Sequence, residues 1–410
     1  MKALDTYPET LNEFRSAADP LADSVVEQIL TSGFDKEISQ IFVAFSEAES
    51  INPSSFSGLS PGLAAILIEY FQTTRSLPPW VDEKRILLGS KVFSTYGPAI
   101  FMLLNISSLP LCYSCAKGAK VLYDTGRLLH QPRGIDPMSR RLMDTAQMIL
   151  DVMLPGGLIE GGKGIVTIQK VRLIHAAIRY YLKEHAPTGA WDTKHYGEPI
   201  NQEDMAGTLL AFSAVTLTGL KQLNTELSET EMDAYMHGWK VAGHLMGIHQ
   251  SLLPDTYQEG FELAVKIIQH QAAESAEGKA LTGSCIELIN AMVPGKIFHD
   301  IPKYLINFFM KEYADASGVD LSKCIGVHIP AGTRDNIAMT VAKFAFGTFS
   351  RLDNKVCITK IVPTFNRLML QGLINLFNSR KSTRFTIPPS LQRDWVVTGS
   401  KGTYKLITAK

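Results

Sequence analysis

The sequence has no excess of charge of either sign: 40 Lys and Arg balance 40 Asp and Glu over 410 residues. That balance removes the default electrostatic attraction to nucleic acid or acidic lipid. Cysteine is sparse. Cys112, Cys115, Cys285, Cys324 and Cys357 are scattered and odd in number, which excludes a disulfide scaffold and points to a reducing compartment. The start, Met1 to Glu9, has no basic segment followed by an apolar one, so no secretory signal is read there and a cytoplasmic protein is expected. Long uninterrupted apolar runs are missing as well. The longest, Tyr96 to Tyr113, is broken by Pro98, Asn105 and Pro110 and reads as a buried core helix with a proline-marked end, not a membrane span.

Several motifs lack the residue that would complete them. Gly157 to Gly164 nearly spells a phosphate-binding loop, but Gly164 stands where a Ser or Thr hydroxyl would bind magnesium. Cys112 and Cys115 have redox-motif spacing with no second pair, so zinc is unsupported and two buried helix cysteines are expected. His237, His244 and His249 lack the His-Glu-x-x-His pattern of a zinc protease. Alternating β-type segments are confined to Lys355–Ile361 and Trp395–Ala409. No fixed-period repeat is visible, which weakens a solenoid.

Helical periodicity fills the remainder, in a chain that is 45% hydrophobic and 20% charged. Helices are predicted near 21–47, 60–73, 84–94, 98–119, 139–153, 165–184 and 203–224. Others are predicted near 228–250, 256–275, 278–291, 297–313, 335–347 and 364–378. The fold class is therefore all-α. Residues 1–55 read as a helical lead-in, 56–378 as one large helical domain, and 379–410 as a basic tail in which seven Lys and Arg oppose Asp394. That tail is read as solvated, so membrane contact is not predicted.

The most informative segment is Val171-Arg172-Leu173-Ile174-His175-Ala176-Ala177-Ile178-Arg179. Arg172, His175 and Arg179 recur at i, i+3 and i+7, on one side of a helix whose other residues are apolar. Two guanidiniums and an imidazole on a burial-prone helix require anionic compensation, because an unpaired buried charge is costly. A solvated face and a hydrogen-bonded core histidine satisfy the pattern; so does a haem, whose iron takes the imidazole and whose propionates take the arginines. Upstream, Arg141 and Thr145 share a face at i, i+4, and the glycine-rich stretch Leu154 to Gly164 leaves room for two antiparallel helices.

The sequence of elements Arg141…Thr145, glycine-rich turn, Arg172…His175…Arg179 resembles the oxygenase family of the latex-clearing rubber oxygenases and the fungal MpaB-type side-chain-cleaving enzyme. Further matching segments are Pro79–Asp82, Trp191, Tyr196–Asp204, Ala211–Ser213 and Trp239–Gly247. The similarity spans roughly residues 75–310. It implies a globin-like core around a b-type haem, with His175 as the proximal metal ligand and Arg141, Thr145, Arg172 and Arg179 framing the cofactor. One departure stands out. The family's rubber oxygenase has a lysine before the threonine that caps the iron; here the residue is Asp144, which puts that distal ligand and rubber cleavage itself in doubt.

With that resemblance, the expected function is a haem-dependent oxygenase that oxidises or cleaves C=C bonds of an isoprenoid or lipid-like substrate with dioxygen. Arg141, Asp144 and Thr145 are the expected catalytic group. Arg172 and Arg179 would neutralise the propionates; Asp144 and Thr145 would handle protons on the distal side, with Asp124 a weaker base. The partners are then dioxygen and an apolar small molecule or polymer. Two alternatives use the same residues: a non-catalytic haem or gas sensor, and a haem-free helical binder of a hydrophobic ligand.

Overall fold

The computed structural model describes residues 7–37, 41, 53–125, 137–185, 191–292 and 301–328. The helices predicted at 335–347 and 364–378, both β-type segments, Cys357 and the basic tail lie outside the described residues. Within them the chain is helical with no strand; the β-type pairing is an isolated bridge between Cys115 and Ala272.

The helices are α1 (Tyr7–Arg15), α2 (Pro20–Thr31), α3 (Pro61–Thr74), α4 (Glu83–Leu103), α5 (Leu109–Ser114), α6 (Ala116–Asp124), α7 (Pro137–Met153) and α8 (Lys163–His185). They continue as α9 (Thr193–Tyr196), α10 (Gln202–Phe212), α11 (Ala214–Gln222), α12 (Glu229–Leu245), α13 (Tyr257–Gln271), α14 (Ala276–Met292), α15 (Ile301–Ser317) and α16 (Leu321–Ile325). Starts are set by side-chain caps. Ser228 with Glu231, and Thr256 with Glu259, form reciprocal capping boxes at α12 and α13.

α4 packs along the length of α12. Gly89 makes this approach possible, since a Cβ there would lie 2.6 Å from the Ala234 carbonyl oxygen. Helical structure runs on from Glu83 to Ser114, through Pro98 where the sequence suggested a break. Packing of Ile100, Phe101, Met102 and Leu103, all fully buried, offsets the hydrogen bond that proline forfeits. The irregularity falls later. Leu104–Ser108 is one π-turn, in which the Leu109 N–H bonds the Leu104 carbonyl. This stretch is long and apolar enough to cross a membrane by length and composition, and its central residues lie inside the protein core.

The predicted helix 203–224 is two helices, broken at Ser213. The freed carbonyls are taken up by side chains: Ser108 Oγ donates to Ala211 O at 2.6 Å, and the Tyr235 hydroxyl to Phe212 O at 3.2 Å. α7 and α8 form an antiparallel pair over the glycine-rich turn. Gly157 and Gly164 face the Asp151 carbonyl so closely that a Cβ would sit 2.1 and 2.7 Å from it. Those glycines serve helix packing.

α1 and α2 are integrated with the rest. Backbone N–H groups of Glu198 and Gln202 bond the carbonyls of Arg15 and Ala17, each at 2.9 Å. α2 and α3 cover one side of α8, burying Ala22, Val26, Leu63, Leu67 and Tyr70 with Leu173 and Ala176. The opposite side of α8 faces the main core.

Candidate functional site

A cavity of about 350 Å³ opens between α5, α6, α7, α8, α10, α12 and α13. Its size lies in the range of roughly 300–1,000 Å³ usual for small-molecule and cofactor sites. The lining is mainly aliphatic and aromatic, with Leu111 and Val121 on one side, Trp239 and Met246 on another, and Ile267 and Ile268 on a third.

α8 contributes Ile168, Val171, Ile174, His175 and Ile178 to this wall. At about 100° per residue these positions fall within one third of the helix circumference. α7 contributes Asp144, Thr145, Met148 and Val152. The structure therefore brings His175, Asp144 and Thr145 onto one cavity, across the α7–α8 hairpin. Arg141 stands one turn before Thr145 on α7; its side chain lies outside what is described.

Arg172 and Arg179 are placed otherwise than the sequence suggested. Neither lines the cavity. Arg172 Nε and Nη2 hold Asp19 at 2.5 and 2.7 Å in a two-pronged pair, and its Nη1 donates to the Leu245 carbonyl at 3.2 Å. Arg179 Nε pairs with Asp23 at 2.6 Å and its Nη1 donates to Ile200 O at 3.2 Å. The reason is rotational. Arg172 and Arg179 lie about 20° apart on the helix, while His175 is about 60° from Arg172, and that offset suffices to turn it to the cavity. The anions these guanidiniums meet are carboxylates of α2, which gives both arginines a helix–helix role; the propionate role remains an expectation from the resemblance. Burial opposes the Arg172 charge, and the bonded Asp19 more than offsets it, raising the guanidinium pKa. Burial pushes Asp23 up against the pull of Arg179. Gly247, at φ +84°, lies under the Arg172 guanidinium, where a Cβ would sit 2.7 Å from Nη2.

The donor set suits a haem at one point and not at another. A histidine in an apolar wall is a suitable axial nitrogen for haem iron. The two guanidiniums expected for its carboxylates meet Asp19 and Asp23 instead, with Nη2 of Arg179 buried and unbonded. Among the described residues no cluster of three or more His, Cys, Asp or Glu could hold a bare metal ion.

Other predicted residues divide similarly. Cys112 and Cys115 line the cavity as free thiols, and burial pushes Cys112 up to about 12. Cys112 is helical as expected, whereas Cys115 sits in extended backbone between α5 and α6, and both are only half-buried. His237 turns away and accepts the Asp82 N–H at 3.0 Å; burial holds its pKa down to about 4. His244 packs edge-on against Trp80, and burial with nearby Arg172 lowers its pKa. Asp124 is salt-bridged to Lys120 at 2.6 Å and is absent from the cavity wall.

Sequence reasoning missed a second polar group at this cavity. Glu203 and Asp204, in the first turn of α10, both line it. Arg15 reaches them from α1, at 3.4 and 3.0 Å. His270 and Gln271, at the end of α13, bond Glu203 from the other side. Burial raises the Asp204 pKa, with Arg15 pulling against it. Two acids behind an Asn N-cap look like ordinary helix-dipole partners, which hid them. The available signal was their adjacency to Asn201 and Gln202 in the matching segment Tyr196–Asp204.

Comparison with known proteins agrees with this architecture. Residues 122–314 match the family model described as "ER-bound oxygenase mpaB/B'/Rubber oxygenase, catalytic domain". The chain is 23% identical over 279 residues to the rubber oxygenase of Streptomyces sp. (strain K30), covering 68% of this chain and 64% of that protein. The match thus spans less than two thirds of the relative's length. The structure of latex clearing protein LCP in the closed state shares the fold, with a TM-score of 0.65 at 19% identity, over 88% of this chain and 91% of that one.

Proposed function

Because residues 122–314 match the mpaB and rubber oxygenase catalytic-domain model, we propose that this protein is an oxygenase. It would act with dioxygen on C=C bonds of an apolar, isoprenoid or lipid-like substrate, with haem b as cofactor and His175 as the residue that would hold it. The observation that carries this reading is the meeting of His175, Asp144 and Thr145 on one largely apolar cavity. Haem supplies the redox chemistry with dioxygen that side chains cannot perform.

The remaining work falls to the chain. His175 fixes the cofactor from α8, and the aliphatic wall from α6, α10 and α13 excludes water and takes a hydrocarbon chain. Thr145 and Asp144 hold or move a proton at their oxygens on the cavity's α7 side. Arg141, one turn before Thr145 on α7, is assigned to the same polar group by the family pattern alone. Arg172 and Arg179 act indirectly: by locking α8 to α2 they set the angle at which His175 enters the cavity. Asp144 in the lysine position has no cationic nitrogen to offer, so the capping role of that lysine is not carried over.

The test is an absorption spectrum of the full-length protein produced with iron supplementation, followed by oxygen uptake with a short polyisoprene oligomer. A strong Soret band that His175→Ala removes, with oxygen consumed by the wild type, is the expected result. A His175→Ala protein that keeps full haem absorption overturns the ligand assignment. Haem binding without oxygen uptake on any unsaturated hydrocarbon overturns the oxygenase.

A further inference from the structure

We infer that Glu203 and His270 form a proton relay joining the cavity to the protein surface. The inference rests on the oxygenase reading for the reaction it serves, and on its own geometry for the relay. Glu203 has no solvent exposure and belongs to the cavity wall. Its Oε1 is 2.6 Å from Nδ1 of His270. Nε2 of the same ring is 3.0 Å from Oδ1 of Asn12, a surface contact, and the imidazole side chain is 21% exposed. Hydrogen bonds thus run without a gap from the interior carboxylate to solvent.

The surrounding charge suits the passage of a proton. Arg15 contributes one positive charge against the two carboxylates of Glu203 and Asp204. Two buried carboxylates against one guanidinium leave room for a further positive charge, such as a proton passing along the pair. The other groups facing Glu203 are Gln271, which donates its amide to Oε2, and the Cys115 thiol. Neither brings charge, as burial holds that thiol protonated.

The chemistry of the pair permits transfer in small motions. With the proton on Nδ1, an imidazolium donates to a carboxylate. With it on Oε1, a carboxylic acid donates to a neutral ring. Inward delivery takes a proton from a surface hydronium onto Nε2, leaving water. The Nδ1–H bond then breaks as the Oε1–H bond forms. Asn12 matches either ring tautomer, because its amide presents an oxygen to Nε2–H or, once rotated, an N–H to a bare Nε2. Rotation of the partly exposed ring resets the relay.

A purely structural cluster tying α1, α10 and α13 would tolerate loss of proton exchange if hydrogen bonding were kept, so the test separates the two. Full-length wild type, His270→Ala, His270→Gln and Glu203→Gln are compared by oxygen uptake on the polyisoprene oligomer and by infrared spectroscopy of the carboxyl band that Glu203→Gln removes. Both His270 variants are expected to lose about tenfold or more in turnover, with half-saturating substrate and cofactor absorption unchanged. Added imidazole should restore His270→Ala but not Glu203→Gln. The Glu203 carboxyl band should shift when His270 is replaced. Absence of imidazole rescue in a folded His270→Ala protein, or full turnover in His270→Gln, overturns the relay. Should the wild type consume no oxygen, the oxygenase reading falls alone; the infrared band then decides, and a band indifferent to His270 removes the relay as well.

Discussion

The two sides of α8 carry residues of the same chemical kind and use them in opposite ways. On the side toward α2, Arg172 and Arg179 meet Asp19 and Asp23 and are consumed in holding two helices together. On the cavity side, His175 stands in the wall among Ile168, Val171 and Ile178. The angular separation is only about 60°. A charged residue near a site is thus assigned by what already neutralises it, and proximity along a helix does not make it part of the pocket.

Asp19→Ala gives the largest break in this contrast. It leaves the Arg172 guanidinium without its buried carboxylate, where both partners are nearly inaccessible, 11% and 4% exposed. A loss of roughly 3–5 kcal/mol is expected in urea unfolding, while His175→Ala should change cofactor absorption far more than stability. If Asp19→Ala instead abolishes haem binding in protein that remains folded, the two sides are not separable.

A comparable imidazole with an assigned structural partner sharpens the picture. His237 stays neutral in the folded protein down to about pH 4, against about 6.5 when unfolded. The unfolded chain therefore binds the extra proton first. Stability should be complete above pH 6.5 and decline as pH falls toward 4, by roughly 2–4 kcal/mol in total. His237→Gln should flatten that window in denaturation measured at successive pH values.

Asp23→Ala tests the weaker half of the α2–α8 seam. Asp23 is 34% exposed, so its pair with Arg179 is screened by solvent, and a loss of about 1 kcal/mol is expected by the same unfolding assay. The smallest effect is electrostatic. Arg172 helps hold the His244 pKa down, after burial, so in the double variant Asp19→Asn/Arg172→Met, which leaves no unpaired buried charge, the His244 midpoint followed by NMR titration should rise. An unchanged midpoint would mean the guanidinium charge is spent entirely on Asp19.

Much of the fold was legible because helix periodicity is local. The caps at Ser228 and Thr256, the α7–α8 hairpin and the all-α class follow from neighbouring residues. That His175 lies on a largely apolar helix was legible for the same reason, since Val171, Ile174 and Ile178 are its own neighbours. The partners of the arginines were not, because Asp19 and Asp23 are some 150 residues upstream in the chain. Pro98 misled, since tertiary packing carried the helix through it. Glu203 was hidden by an ordinary explanation, and only the approach of α1 and α13 shows what else it does.

The π-turn at Leu104–Ser108 has a consequence for how this wall is inherited. One additional residue in a single turn rotates everything after it by about 100° relative to an uninterrupted α-helix. Leu109, Leu111 and Cys112 reach the cavity downstream of that offset. Deleting one residue there would regularise the helix yet swing a different set of side chains inward, so a one-position gap reshapes the cavity wall with no substitution at all.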